Sequence, residues 1–283
     1  MREQWTFGFV LLVAAFLVVP AIALADDGSE RPVDLTLNAE LGFVAPVYHR
    51  VQFSRDGTYI DYVEEGGQNV LFSFARLSVD AQLSDRHRLT LLWQPLDLQT
   101  RVRAARDLVV DGVTFPEGTP VDLRYSFPFY RLSYAYDIVH RERTQFALGP
   151  SLQIRNATLS VQSGDGELRR DRRDVGLVPI LKVRARHQLE SQWFFGLEAD
   201  GFYAPIRYLN ISDNDVVGAI LDASLFVGAP VGEQVDAYLN LRYLGGGADG
   251  TSPRQAERGP SDGYTRNWLN LVTVSLGLSL TLW

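Results

Sequence analysis

The sequence predicts an all-β chain: an antiparallel up-and-down transmembrane barrel of about ten strands, with eight to twelve as the range. Three observations carry that prediction. Past Asp34 apolar residues recur with a period of two, the period of a strand whose faces meet different surroundings. The connections between these segments are short and long in alternation. The polar faces carry charges of both signs in mid-strand, which suits a closed lumen where charges must pair.

The N-terminus has a different character. Met1 and Arg2 precede an apolar run from Phe7 to Pro20, and Ala23-Leu24-Ala25 is an A-x-A cleavage site. Residues 1–25 read as a secretory signal peptide cut near Ala25, because the run is short of the ~20 residues a spanning helix needs. Residues 26–33 form a periplasmic leader, and 34–283 form the barrel domain.

The strands follow in order. Leu35, Leu37, Ala39, Leu41 and Phe43 alternate with Asp34, Thr36, Asn38 and Glu40. Ala75, Leu77, Val79 and Ala81 alternate with Arg76, Ser78, Asp80 and Gln82. Leu89, Leu91 and Trp93 oppose Arg88, Thr90 and Leu92, and Tyr130, Leu132, Tyr134 and Tyr136 oppose Arg131, Ser133, Ala135 and Asp137. Phe146, Leu148, Leu152 and Ile154 oppose Ser151, Gln153 and Arg155; Leu177, Leu181, Val183 and Ala185 oppose Lys182, Arg184 and Arg186. Trp193, Phe195, Leu197 and Ala199 oppose Gly196, Glu198 and Asp200, and the Val217–Val227 segment opposes Asp222 and Ser224. Val235, Ala237, Leu239, Leu241 and Tyr243 oppose Asp236, Tyr238, Asn240 and Arg242. The tenth segment runs from Val272 to Leu282.

Short connections fall near Ser84–His87, Val139–Arg143, His187–Gln192 and Ala229–Gln234. Longer ones fall near Tyr48–Gly67, Ala104–Pro120, Gln162–Arg173, Arg207–Asn214 and Gly245–Arg266. Short turns facing the periplasm and long loops facing outside put both ends of an even-stranded barrel on the periplasmic side. Val51–Tyr62 and Leu108–Phe115 could pair as extra hairpin arms, and parity shifts near Pro95, Pro128 and Asn156 suggest bulges.

Alternation alone does not say which face is buried, since a soluble lipid carrier alternates too. Aromatics at strand ends favour the membrane: Tyr134, Tyr136, Phe146, Trp193 and Phe195 near the short turns, and Phe43, Tyr203, Tyr243 and Trp268 near the long loops. The polar face then lines the lumen. The expected charge network there comprises Glu40, Arg76, Asp80, Arg131, Asp137, Arg155, Lys182, Arg184, Glu198, Asp200, Asp222, Asp236 and Arg242. Arg dominates, which suits fixed bidentate pairs, and a barrel of this size lies near the filled end of the range.

The last segment, Val272–Trp283, is amphipathic and ends LGLSLTLW. On those residues the chain resembles the outer-membrane β-barrel proteins of Gram-negative bacteria. The resemblance implies that Trp283 is an assembly signal read by the barrel assembly machinery. It also implies a bacterial outer-membrane location after export through the periplasm, with outer-membrane lipids as partners. The chain departs from the family in one respect: Leu278, Leu280 and Leu282 are out of phase with the terminal aromatic.

Composition narrows the function. Against 27 Lys+Arg stand 34 Asp+Glu, a net charge of -7, which argues against nucleic acid as a partner. The absence of Cys excludes disulfides, zinc–thiolate sites and thiol catalysis. No cofactor or metal site is expected, because the Ser212–Asp215 stretch lacks the Gly and Glu of a full calcium loop. His87, His140 and His187 fall in short turns beside Arg; His49 is the loop-side His, with Asp213 and Asp215 in other loops as its candidate acid partners for a hydrolase. The Gly164–Arg173 loop carries Arg169, Arg170, Arg172 and Arg173, which could meet lipopolysaccharide phosphates. The expected role is structural or surface-interaction, with a lumen largely filled by paired charges. The alternatives are a narrow small-solute channel and a lipid- or peptide-directed hydrolase with a rim site.

Overall fold

The computed structural model describes residues 33–205, 215–251 and 262–282. The signal segment 1–25, the leader up to residue 32, the whole of the Arg207–Asn214 connection with Asp213, and Trp283 lie outside the described residues. Among the described residues fifteen strands follow one another: β1 (Asp34–Phe53), β2 (Ile60–Asp61), β3 (Phe72–Ser84), β4 (His87–Gln94), β5 (Asp97–Arg103), β6 (Leu108–Val110), β7 (Val113–Phe115), β8 (Pro120–Ser126), β9 (Phe129–Arg141), β10 (Thr144–Ser163), β11 (Arg169–Gln188), β12 (Phe194–Pro205), β13 (Asp215–Pro230), β14 (Val235–Thr251) and β15 (Tyr264–Thr281). Ten of them form a closed antiparallel ring in the order β1-β3-β4-β9-β10-β11-β12-β13-β14-β15, which β15 closes onto β1 from Thr36↔Thr281 to Phe53↔Thr265. Closure pairs every strand on both sides and leaves no edge in the hydrocarbon, as a membrane demands.

The other five strands belong to the long-loop end, where they extend the barrel. β2 pairs with the top of β1 through Arg50↔Asp61 and Val51↔Ile60, and β6 and β7 form a separate hairpin. These are the two arms that the segments Val51–Tyr62 and Leu108–Phe115 announce. β5 and β8 continue β4 and β9 beyond two breaks, at Pro95–Leu96 and Phe127–Pro128, where proline removes a ladder donor.

The third expected bulge is absent. β10 keeps its register with β11 without a shift from Thr144↔His187 to Gln162↔Arg169. At Asn156 its partner on the other side passes from β9 to β8, and its apolar face changes sides. Below Asn156 the inward residues are Ser151, Gln153 and Arg155; above it they are Ala157, Leu159 and Val161. Such a reversal is what a barrel strand shows where its outer surroundings change from lipid to water.

The loop boundaries drawn from the sequence also shift. The stretches Tyr48–Gly67, Gln162–Arg173 and Gly245–Arg266 contain paired strand, because the hairpins stay laddered above the bilayer. The Arg169–Arg173 tract is therefore part of β11, opposite Thr158–Gln162, and not a loop.

The faces are sorted as in a membrane barrel and opposite to a soluble carrier. In mid-barrel Leu276 is 71% and Leu132 53% exposed, while Thr273 and Arg131 are 1% exposed. Trp193 and Phe195 ring the outside near the short turns, and Phe43, Tyr203 and Tyr243 ring it near the long ones.

The interior has three levels. At the short-turn end Phe194, Phe226 and Tyr238 stack edge to face across neighbouring strands. Two glycines make that possible: a Cβ on Gly277 would stand 2.1 Å from the Tyr238 ring, and one on Gly196 2.3 Å from the Phe226 ring. Charged side chains fill the middle. The long-loop end holds an apolar core in which Ile60, Tyr62, Leu108 and Phe115 from the added arms pack on Val51 and Leu123.

Candidate functional site

Period two turns Glu40, Arg76, Arg131, Lys182, Arg184, Glu198, Asp200, Asp222 and Arg242 into the lumen, and the register puts them at one height. Glu40 faces Arg76, Lys182 faces Asp200, Arg184 faces Glu198, and Asp200 faces Asp222. The last pair sets two carboxylates side by side, an unfavourable arrangement by itself. Arg131 resolves it from the far wall: its Nη1 lies 2.9 Å from Oδ2 of both acids. Arg76 Nη1 reaches Asp222 at 3.2 Å, and Arg242 Nη1 donates to it at 2.6 Å. One carboxylate thus holds three guanidinium groups.

The cluster continues on either side. Lys182 Nζ donates to Asp200 at 3.1 Å and lies 3.6 Å from Glu198, which also pairs with Arg184 at 3.1 Å. Arg242 lies 3.5 Å from Glu40, whose Oε2 accepts from Asn240 and Ser275. Gln94 accepts from Arg76 at 2.6 Å, and Gln153 accepts from Arg131 at 3.0 and 2.7 Å. Five cations (Arg76, Arg131, Lys182, Arg184, Arg242) meet four carboxylates (Glu40, Glu198, Asp200, Asp222). Strands β3 and β9 supply Arg76 and Arg131 while β13 supplies Asp222, so the pairs cross the lumen from wall to wall.

The remaining expected members stand apart. Asp80 accepts from Asn38 and Thr90 near the short turns, and Asp137 lies 3.6 Å from His140. Asp236 pairs with Arg186, whose guanidinium also covers the Phe194 ring. Arg155 stands above the cluster and donates to Asp174 at 2.5 Å.

Above the cluster lies a cavity of about 740 Å³, walled by β10, β11 and β12 to β15. Phe127, Phe202, Ile220, Leu244 and Leu269 give it apolar walls, and Gln153 and Arg155 line it too. Sequence reasoning missed this space. The switch of β10 from polar to apolar inward residues at Asn156 marks the level at which the interior turns apolar, but not the space itself.

His49 is fully buried beside this region, in the upper part of β1 past the Phe43 girdle, where the added strand β2 pairs at Arg50 and Val51. Its Nδ1 is 2.7 Å from Gln68 Oε1, and its ring packs at 4.7 Å on both Tyr62 and Tyr125. Burial pushes its pKa down to about 4. Of its candidate acid partners, Asp213 lies outside the described residues and only the backbone of Asp215 is described, paired with Thr251. Two arginines of the Arg169–Arg173 tract are tied to acids, Arg172 to Asp111 at 2.5 Å and Arg169 to Asp171 at 2.7 Å, and Arg170 donates to the backbone carbonyls of Asp111 and Arg169. Among the described residues no group of three His, Asp or Glu is placed to hold a metal ion.

No family model and no curated protein matches the sequence. The fold does have likenesses among solved structures. The outer membrane protease OmpT from Escherichia coli superposes with a TM-score of 0.51 at 11% identity, covering 90% of this chain and 98% of that one. The outer membrane protein OprG from Pseudomonas aeruginosa (TM-score 0.34, 11% identity, 91% and 99% covered) is more distant. So is Ail, the attachment invasion locus protein of Yersinia pestis (0.36, 10%, 88% and 99%). At such identities the likeness is one of fold: this chain is a closed ten-stranded barrel of the outer-membrane type.

Proposed function

We propose that this chain is a non-conducting barrel of the bacterial outer membrane, exported by the signal segment 1–25, whose role is structural or surface-interaction. The observation that carries the reading is the wall-to-wall cluster at Asp222, in which Arg131 is 1% exposed and bridges two acids on the opposite side. Aromatic packing below it and an apolar core above it support the same reading. A path for ions would have to break buried pairs, at a cost on the order of 3–5 kcal/mol each. What remains free to act is the long-loop end. No catalytic role is part of the reading, because the Nδ1 of His49 is engaged by an amide and its ring is enclosed by tyrosines.

The test is the conductance of the refolded chain Asp26–Trp283 in a planar bilayer. Insertion without stable current steps is expected. The double variant Arg76→Ala/Arg131→Ala removes two of the three guanidinium groups on Asp222 and should show steps. Reproducible steps from the unmodified chain would overturn the closed lumen and put the narrow channel in its place.

A further inference from the structure

The cavity above the charge cluster has two features that the closed-lumen reading does not use. The first is a pair of unsatisfied donors. Gln153 is completely buried, and both of its bonds from Arg131 go to Oε1. Its Nε2 has no hydrogen-bond partner among the described residues, and neither has Nε of Arg155 two residues on. Both side chains line the cavity. A buried donor left unpaired costs about 1–3 kcal/mol, more when it is charged, so a site of this kind is completed by an acceptor. Arg155 has room to lie where it does because its neighbour across the ladder is Gly176, whose Cβ would stand 3.2 Å from that Nε.

The second feature is a break in the wall. Among the described residues the β11–β12 ladder runs from Gln188↔Phe194 up to Leu181↔Gly201 and stops. β11 continues upward to Arg169 with β10 as its ladder partner, while β12 continues to Pro205 on β13. Pro179, two residues above Leu181, has no N–H to donate to a neighbour. The gap opens at the height of Tyr203, in the outer aromatic girdle, where headgroups and water can satisfy the freed backbone; deeper in the hydrocarbon they could not. Val178 of β11 and Phe202 of β12 line the cavity behind it, and Val175 and Leu177, both exposed, border the cavity as well.

We propose that the cavity binds a single-chain carboxylate amphiphile that enters sideways from the outer leaflet between β11 and β12. The volume of about 740 Å³ falls within the roughly 300–1,000 Å³ of small-molecule sites. The chain would lie against Phe202, Ile220, Leu244 and Leu269, and the carboxylate would accept from Gln153 Nε2 and Arg155 Nε. Of the unsatisfied groups that line the cavity, Gln153 Nε2 and Arg155 Nε are donors and Asn267 Oδ1 is an acceptor; Asp174, which Arg155 pairs with, is outnumbered in the lining by Arg155, Arg172 and Arg173, and that balance selects an anionic head over an amine. The inference rests on the surface-interaction reading above and gives it a ligand class.

Palmitate is the probe. The folded chain in phosphatidylcholine nanodiscs is equilibrated with labelled palmitate, and retention is compared with empty discs. One palmitate per chain above the empty-disc level is expected, and retention at the empty-disc level would overturn the proposal. Gly176→Phe and Ala157→Phe each fill the cavity and should cut retention at least tenfold, with folding checked by heat-modifiable gel mobility. Full retention by both folded variants would place the ligand elsewhere and overturn the site. Hexadecylamine retained as well as palmitate would overturn the carboxylate assignment. For the route, Pro179→Cys/Tyr203→Cys, in a chain without other Cys, is compared oxidised and reduced. Slower uptake at equal final retention in the oxidised form is expected, and equal rates would overturn lateral entry. Current steps in the bilayer assay with palmitate still bound would sink the closed lumen and leave the cavity proposal standing.

Discussion

Arg131 stands 2.9 Å from Asp200 and from Asp222, which the strand register sets opposite one another. Removing it leaves two adjacent buried carboxylates with fewer counter-charges. Arg131→Leu should destabilise the barrel by about 3–5 kcal/mol. Adding Asp200→Asn should recover part of that loss, because it removes the repulsion that Arg131 screens. Urea unfolding in lipid vesicles measures both; a loss below 1 kcal/mol for the single variant would mean that water already enters the cluster. His49 makes a different residue-scale prediction. Its folded pKa of about 4 lies below the ordinary value of 6.5, so the unfolded chain binds the proton more readily. The contribution of neutral His49 is complete above pH 6.5 and is lost as pH falls toward 4. The temperature of the gel-mobility shift should therefore drop between pH 7 and pH 5, and His49→Gln should flatten that part of the drop. An equal drop in the variant would assign the acid sensitivity to carboxylates instead.

Among the elements, β10 changes its outward residues along its length. Its outward residues are Leu152 and Ile154 below Asn156, and Thr158 and Ser160 above it. β15 keeps Val274, Leu276 and Leu278 outward through its membrane part. Leu276→Arg should cost about 2–4 kcal/mol, the cost of a cation on the lipid face near mid-bilayer. Thr158→Arg, on the same outer surface but above Asn156, should stay within about 0.5 kcal/mol. Unfolding of the two variants in the same vesicles checks the difference; equal costs would put Thr158 in the bilayer or Leu276 outside it. Period two identified these strands and their faces because membrane and lumen ask for opposite residues. It did not mark their upper ends, because above the bilayer the outside is water and the inside becomes an apolar core. The Arg169–Arg173 tract reads as a loop for that reason, although it is laddered to β10.

At the scale of the whole molecule, the ring of ten strands encloses an aromatic layer, a charged layer and an apolar layer with a cavity. The sequence by itself determined the all-β class, the membrane-facing surface and the identity of the inward charges. Each of these follows from residue type and parity along one strand. It also pointed to the two added arms, as apolar runs inside otherwise polar connections. Only the tertiary structure decided which inward charges meet. Asp80, Asp137, Asp236 and Arg155 share the parity of the cluster but not its height, and height depends on how each strand is registered on the next. The cavity and the gap beside it were likewise beyond the sequence. A cavity is set by the distance between walls built from residues far apart in the chain, and a gap is set by where one ladder stops, and neither leaves a periodic trace in a single strand.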